Sequence, residues 1–572
     1  MVKMKLREEI EHYHSYEELT RILQAFEKEY PLLCRLDSIG RTLKNRDIYM
    51  MEVTNSGSGR PEDKPAYYAE ACTHAEEFCG ANVALRLIWD LVSGYGRQAE
   101  VTELLDHVVF YIVPQVNPDG VETVMTTGHI GVCNGRYPVE ERQPLPGLVP
   151  QDINGDHIVA QMRIPDPDGE WKISDKDPRL MVLRKPYELS GSFYRMYPEG
   201  IIRGDVDGFE VPKPKDVNLN RNYPANWLPE GLQYGACELP LSEPETRAVA
   251  EFIDSHPNIA GVCSYHTNAG AIMRPFGGKG DEHFKGADLA LYSALGAMGT
   301  EELGYELMST YNDFTPDKSR VRGGTLMDWT FEDLGIPSFM LELWNVYDAA
   351  GTRRPEEFHF AARSEEKDLA VLRWADENLG EKAYLPWKKV EHPQLGEVEV
   401  GGWNWLWVER NPPESYLGNM SGHASAYTIK LAMTLPRLKF QRCELTKLGD
   451  GLYKLTAVVR NAGYLPTYLT SQAEAVKKAP PVSLRLSAVK GSYETMCCTH
   501  PEDIGHLEGR FGRDAEWSRD RAEWRPVERR AEWVIRTGSP ELELELTASA
   551  PRCGSVSKRM MIETRKEGNY VF

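Results

Sequence analysis

His74 and Glu77 stand three residues apart in THAEEFCGANVALRLI, directly behind the apolar run PAYYAEAC and at the mouth of an amphipathic stretch. An imidazole and a carboxylate presented from one turn are part of a ligand set for a divalent cation. The same pair also suits a satisfied structural histidine beside a glutamate that complements a helix N-terminus. Three further stretches bear on that choice. AGVCSYHTNAG closes an apolar run with His266, SFMLELWN embeds Glu342 among apolar residues, and DVNLNRNYP sets Asn220 and Arg221 in a turn-rich loop. Burying a lone carboxylate is costly unless it is paired or does chemistry. Glu342 is therefore either half of a buried ion pair or a general base tuned by a nearby cation.

Two histidines and one carboxylate leave a catalytic zinc an open position for water. The metal brings that water's pKa from about 16 to near 7. A second glutamate takes the proton and passes it to a leaving amine. An arginine with an asparagine supplies donors for an oxyanion or for a substrate carboxylate. A second cation is a further candidate: QDINGDHIVAQ sets Asp152, Asn154 and Asp156 at alternating positions, as calcium loops do. His157 in place of the turn glycine and the missing glutamate at the twelfth position exclude an EF-hand. The competing reading is a turn held by its own side-chain hydrogen bonds.

The elements that must position these residues alternate. A helical pattern runs through EIEHYHSYEELTRILQAFEKEYP from residue 8 and is closed by Pro31. RDIYMMEVTN, PAYYAEACT, HVVFYIVPQVNP, NIAGVCSYHTN and IPSFMLELWN read as strands, and EEKDLAVLRWADENL as a helix. That alternation over residues 1–385 predicts one α/β domain with mostly buried strands. Residues 129–215, rich in Pro, Gly and Asp, read as a long insertion. Residues 386–425 read as a connector whose tryptophans pack between domains. Residues 426–572 carry short alternating runs such as ELELELTASA and predict a small all-β sandwich.

With 572 residues, two or three domains are expected. The net charge of −20 argues against nucleic-acid and anionic-membrane partners. No apolar run is long enough to span a bilayer. The N-terminal stretch MVKMKLREEIEHYHSYEEL has no secretory pattern, and the ten scattered cysteines fit reduced thiols, so a cytoplasmic location is expected.

In order, YHSYEEL, YPLLCRLDSIGRTLKNRDIYMMEV, HAEE, VNPDG, NLNRNYP, LSEPETRAV, SYHTNAG, GGTLMDW and MLEL resemble the carboxypeptidase A-like zinc metallocarboxypeptidases over roughly residues 10–380. The resemblance implies a mixed eight-stranded twisted sheet flanked by helices. It places zinc on His74, Glu77 and His266, the general base on Glu342, and the grip on a peptide's C-terminal carboxylate on Asn220 and Arg221. For the oxyanion-stabilising arginine it offers Arg136 first and Arg163 second, Arg163 also as a substrate-binding residue. Met327 falls at the base of the specificity pocket, where a thioether favours an apolar or permissive choice.

The chain departs from the family at three more positions. No tyrosine precedes the Gly-Gly pair, where Ser319 or Arg320 stands instead. Glu76 replaces a positive subsite residue, which would disfavour an acidic substrate end. Asn218 replaces an aspartate that orients a zinc histidine, so that imidazole should be slightly less basic. The β domain resembles accessory domains of bacterial members, with a packing or gating role expected. The expected function is zinc-dependent release of C-terminal residues from a peptide substrate. The alternatives are an amidase on cell-wall-type peptides and a catalytically silent module that binds peptides or glycans.

Overall fold

The computed structural model describes residues 2–128, 134–136, 146–204, 216–352, 364–499, 503–511 and 526–563. Eight strands build the central sheet: β1 (Cys34–Arg41), β2 (Asp47–Val53), β3 (Ala66–Ala71), β4 (Val109–Val113), β5 (Ile259–Thr267), β6 (Ala271–Arg274), β7 (Glu306–Ser309) and β8 (Ser338–Leu343). They lie in the order β1-β2-β4-β3-β5-β8-β6-β7. The run β4-β3-β5-β8 is parallel, while β2 and β6 pair with it antiparallel. Every residue of β3, β4, β5 and β8 is buried. Strands covered on both faces need apolar side chains on both, which is why they read as continuous runs.

Tyr67, Ala69 and Ala71 face a core shared with the helices Tyr16–Glu29, Cys79–Gly94 and Asp288–Leu303. Ala66 and Tyr68 face a second core closed by Pro244–Ser255 and Leu326–Glu332. The helical pattern expected from residue 8 is split in two. Ser15 caps a new helix at Tyr16 by a reciprocal bond pair with Glu18, and Leu19, Ile22, Leu23 and Phe26 form its buried stripe.

The expected connector is folded structure rather than a link. Tyr384–His392 and Gly396–Trp403 form a hairpin whose second strand pairs with Gln161–Pro165 of the insertion. One six-stranded sheet thus joins residues from both regions. Partners more than two hundred residues apart leave no local signature. The helix Glu414–Met433 then crosses the expected boundary at 426 and lies against Cys79–Gly94. Arg86 Nη1 donates to the Gly418 carbonyl at 3.1 Å, and Ser425 Oγ donates to Asp90 at 2.8 Å.

The C-terminal strands form a four-stranded and a three-stranded sheet. Leu455, Val459, Trp533 and Ile535 of the first share one interior with Leu484, Leu542, Leu544 and Leu546 of the second. The sandwich is docked on the α/β domain. Asp288 accepts from the backbone N–H of Ser471 at 2.7 Å and of Gln472 at 2.9 Å. Arg552 Nη2 and Thr470 Oγ1 donate to the carbonyls of Leu334 and Gly335, just before β8. Asp288→Ala strips two part-buried N–H groups of their acceptor and should cost about 1 kcal/mol. It should lower the urea midpoint of unfolding while metal content stays unchanged; an unaltered midpoint would show that the dock contributes nothing. Among the described residues no helix is long and apolar enough to cross a membrane.

Candidate metal centre

β3, β5 and β8 lie side by side and in parallel, with Tyr265 opposite Ala71 and His266 opposite Glu342. Their C-terminal ends therefore bring three distant parts of the chain to one place, as open α/β sheets do. The loop after β3 carries His74 and Glu77 just ahead of the helix Cys79–Gly94. His74 Nδ1 lies 2.9 Å from Glu77 Oε1, His266 Nδ1 lies 3.0 Å from Glu77 Oε2, and the two Nδ1 atoms are 3.2 Å apart. Ligand atoms of all three residues lie within 4.8 Å of one another.

The outer ring nitrogens fix what the inner ones can do. His74 Nε2 is 3.0 Å from Asn218 Oδ1, a pure acceptor, so Nε2 carries the proton. His266 Nε2 is 3.0 Å from Ser264 Oγ, which spends its own proton on Glu70 Oε1 at 3.2 Å. With both Nε2 atoms protonated, each neutral ring turns a bare Nδ1 lone pair inward, toward the Glu77 carboxylate. Three acceptors converging in a buried volume call for a cation, and the donor set of two imidazoles and one carboxylate is zinc-like.

Asn218 thus holds the position expected of it, and it does a second task. Its Oδ1 also accepts from the Asn220 N–H at 2.9 Å, capping the short turn Leu219–Arg221. Glu70, fully buried in β3, additionally accepts from Tyr68 OH and Thr73 Oγ1, each at 2.9 Å. It was legible in principle: a lone carboxylate within AYYAEA is the same signal that singled out Glu342.

Burial alone would raise the Glu77 carboxyl, but the two imidazoles beside it hold it well below the usual carboxylate range. Glu342 is driven the other way, up to about 7, by burial and then by the charge of Glu77. A cation on Glu77 offsets the second cause and leaves the first. Glu342 keeps its expected place beside the cluster, electrostatically coupled to Glu77 and His266.

Asn220 and Arg221 lie on the turn that Asn218 caps, and the Arg221 charge acts on His74. Asn220 Oδ1 accepts from Leu326 N–H at 3.1 Å, and Arg221 Nη1 donates to the Asn220 carbonyl at 2.5 Å. Gly324 explains part of the Gly-Gly pair: its φ is +70° and a Cβ there would stand 2.5 Å from the Arg221 carbonyl oxygen. Arg322 lies close enough to Arg221 to disfavour its charge, and burial pushes both guanidiniums below the usual arginine range, Arg221 to about 9. Among the described residues neither has a carboxylate ion-pair partner, although both feel Glu342. Met327 is buried with Ala269, Met273, Phe314 and Met340, and Met340 Sδ touches the Asn220 amide at 3.7 Å. Arg322 stacks over Phe314 at 4.7 Å.

Several expectations fail on geometry. Arg136, the first choice for the oxyanion, pairs with the buried Glu243 at 2.8 Å. Arg163 is fixed in the insertion sheet by Glu399 at 2.9 Å and by the rings of Tyr194 and Trp387. Calcium is likewise unsupported at Asp152, Asn154 and Asp156. The Asp152 carboxylate accepts from the N–H groups of Asn154, Gly155 and His157, Asn154 bonds Asp156 from both its amide atoms, and Asp156 accepts from Ile158. The oxygens are consumed by the turn itself. Ser319 and Arg320 are exposed and engage Asp317. Glu76 is not an open negative charge: Arg410 Nε meets it at 2.9 Å.

Curated relatives share parts of this chain. Human carboxypeptidase D is 31% identical over 111 residues, which are 19% of this chain and 8% of that protein. Human carboxypeptidase A6 is 23% identical over 341 residues, 58% of this chain and 60% of that one. The chain therefore spans less than two thirds of these relatives. Among solved structures, carboxypeptidase A from Helicoverpa armigera aligns with a TM-score of 0.42 at 15% identity, covering 74% of this chain and 73% of that one. Residues 437–561 match a domain family of unknown function. The zinc carboxypeptidase model matches residues 19–352, more than half of the sequence and the region that holds every residue of the cluster, and the chain belongs to that family.

Proposed function

We propose that the protein is a metallocarboxypeptidase that releases C-terminal residues from peptides. The observation that carries this reading is the Arg221–Arg322 pair. Two desolvated guanidiniums near Glu342, neither with a carboxylate ion-pair partner among the described residues, are a costly arrangement until an anion joins them. A peptide's terminal carboxylate supplies that anion and sets the last peptide bond against the metal cluster. The Met-rich wall behind Asn220 favours an apolar terminal side chain.

His74, Glu77 and His266 would hold a zinc ion, which when bound would supply the Lewis acidity that polarises a carbonyl and makes a water molecule acidic near neutrality. Glu342 takes a proton from the attacking water as the new C–O bond forms. It returns the proton to the amine nitrogen as the C–N bond breaks, and its raised affinity for protons suits the return step. Asn218 and Ser264 keep both imidazoles turned inward throughout. The reading includes a reducing compartment such as the cytoplasm, supported by the nine described cysteines, all unpaired.

The test compares a tripeptide free acid with its C-terminal amide. A site built around a charged group rejects the analogue that lacks it, so the acid should be cleaved at least about 10²-fold faster. Arg221→Met should erase most of that preference. Equal rates, or cleavage confined to internal bonds, would favour the amidase reading.

A further inference from the structure

Arg410 lies beyond the family region, on the π-helical turn Leu406–Arg410, yet it reaches the metal cluster. Its Nε pairs with Glu76, which sits between the ligands His74 and Glu77 and is only 3% exposed. Its Nη1 donates at 2.7 Å to Asn268 Oδ1, two residues after His266. The turn itself is fastened to both sides of the site. Asn411, fully buried, donates to the Glu76 carbonyl at 2.8 Å and accepts from the Cys79 N–H at 3.1 Å. Trp344, two residues after Glu342, donates from its indole to the Val408 carbonyl at 2.9 Å. These bonds fix the guanidinium between the loop that carries Glu77 and the strand end that carries Glu342, and its charge acts on both carboxylates.

Nε and Nη1 are engaged by these anchors, and among the described residues Nη2 makes no hydrogen bond. The side chain is 27% exposed, so it is held but not sealed off. Arg136 and Arg163, the arginines the resemblance offered for the oxyanion, are paired with Glu243 and Glu399.

We propose that Arg410 is a catalytic residue that donates from Nη2 to the carbonyl oxygen of the scissile amide and stabilises the negative charge that develops there. The proposal rests on the carboxypeptidase reading of the same site. It also gives Glu76 a role: the carboxylate aims the guanidinium instead of meeting the substrate, so the charge change at that position does not repel acidic peptides.

The experiment compares wild type, Arg410→Met and Arg410→Lys in zinc content, steady-state kinetics on a peptide free acid, and affinity for a phosphinic peptide that mimics the tetrahedral state. Loss of one oxyanion donor lowers kcat about 10²–10³-fold. Arg410→Met should show that loss at full zinc content and nearly constant KM, with phosphinate affinity falling and added guanidinium restoring part of the rate. Arg410→Lys, which keeps the charge against Glu76, should fold like wild type yet stay slow, because a lysine lacks the fork that serves three partners at once. Unchanged kcat, a change confined to KM, or full recovery in the Arg410→Met/Glu76→Gln double variant would reduce Arg410 to a neutraliser of Glu76 and overturn the proposal. The phosphinate arm needs no turnover. A wild type without peptidase activity would count against the carboxypeptidase reading, whereas equal phosphinate affinities in wild type and Arg410→Met would count against Arg410.

Discussion

Glu342→Gln should leave zinc content and the fold intact while lowering kcat by about 10²–10⁴-fold, the range a positioned general base contributes. Glutamine keeps the size of the side chain and its hydrogen-bonding capacity but cannot hold a proton in transit. Its placement makes the substitution mild for the structure. Glu342 pairs with His266 across two buried parallel strands, and its ionised form is opposed there by burial and by Glu77. Removing the charge relieves a repulsion, so thermal stability of the metal-free protein should hold or rise slightly. Steady-state kinetics beside elemental analysis checks both halves. A variant that keeps wild-type turnover would remove Glu342 from the chemistry.

His266→Ala should have an effect as large, by a different route. It removes one of the three converging donors and leaves the Ser264–Glu70 pair without its imidazole. Zinc affinity should fall by more than the 10–100-fold typical of losing a partner behind a ligand. Activity should vanish at ordinary zinc concentrations and return only in part when zinc is added. Ser264→Ala provides the graded comparison. It keeps all three donors, frees the outer nitrogen of His266, and should weaken zinc binding within that smaller range. Equal zinc binding by wild type and His266→Ala would show that the ion sits elsewhere.

The ligands and Glu342 were legible because each closes or interrupts an apolar strand-like run, and a buried sheet leaves such runs continuous in sequence. Asn220 and Arg221 were legible because a turn-rich polar loop displays them together. The arginines were not. Arg136, Arg163, Arg322 and Arg410 look alike as residues in irregular sequence, and only their surroundings sort them into an ion pair with Glu243, a prop of the insertion sheet, a desolvated neighbour of Arg221 and Glu342, and an anchor beside Glu77. Those partners lie far away along the chain. Pairing between Gln161–Pro165 and Gly396–Trp403 was hidden for the same reason, so a folded sheet read as an insertion plus a connector. The alternating pattern at 152–156 misled in the opposite direction, since a loop that satisfies its own carboxylates and one that binds calcium use the same residue types.

The C-terminal region also changes meaning once the contacts are seen. The sandwich grips the loop that leads into β8, and the preceding turn delivers Arg410 beside Glu76. Chain outside the family region therefore helps to shape the site rather than merely adjoining it.

The central claim is that His74, Glu77 and His266 alone anchor one zinc ion, and X-ray absorption at the zinc edge of the purified protein tests it most directly. The expected spectrum shows only nitrogen and oxygen neighbours at about 2.0–2.2 Å, with imidazole scattering that His266→Ala diminishes and Glu342→Gln leaves alone. A sulfur neighbour at about 2.3 Å, which the nearby Cys72 or Cys79 would have to provide, or a spectrum indifferent to His266→Ala, would contradict it.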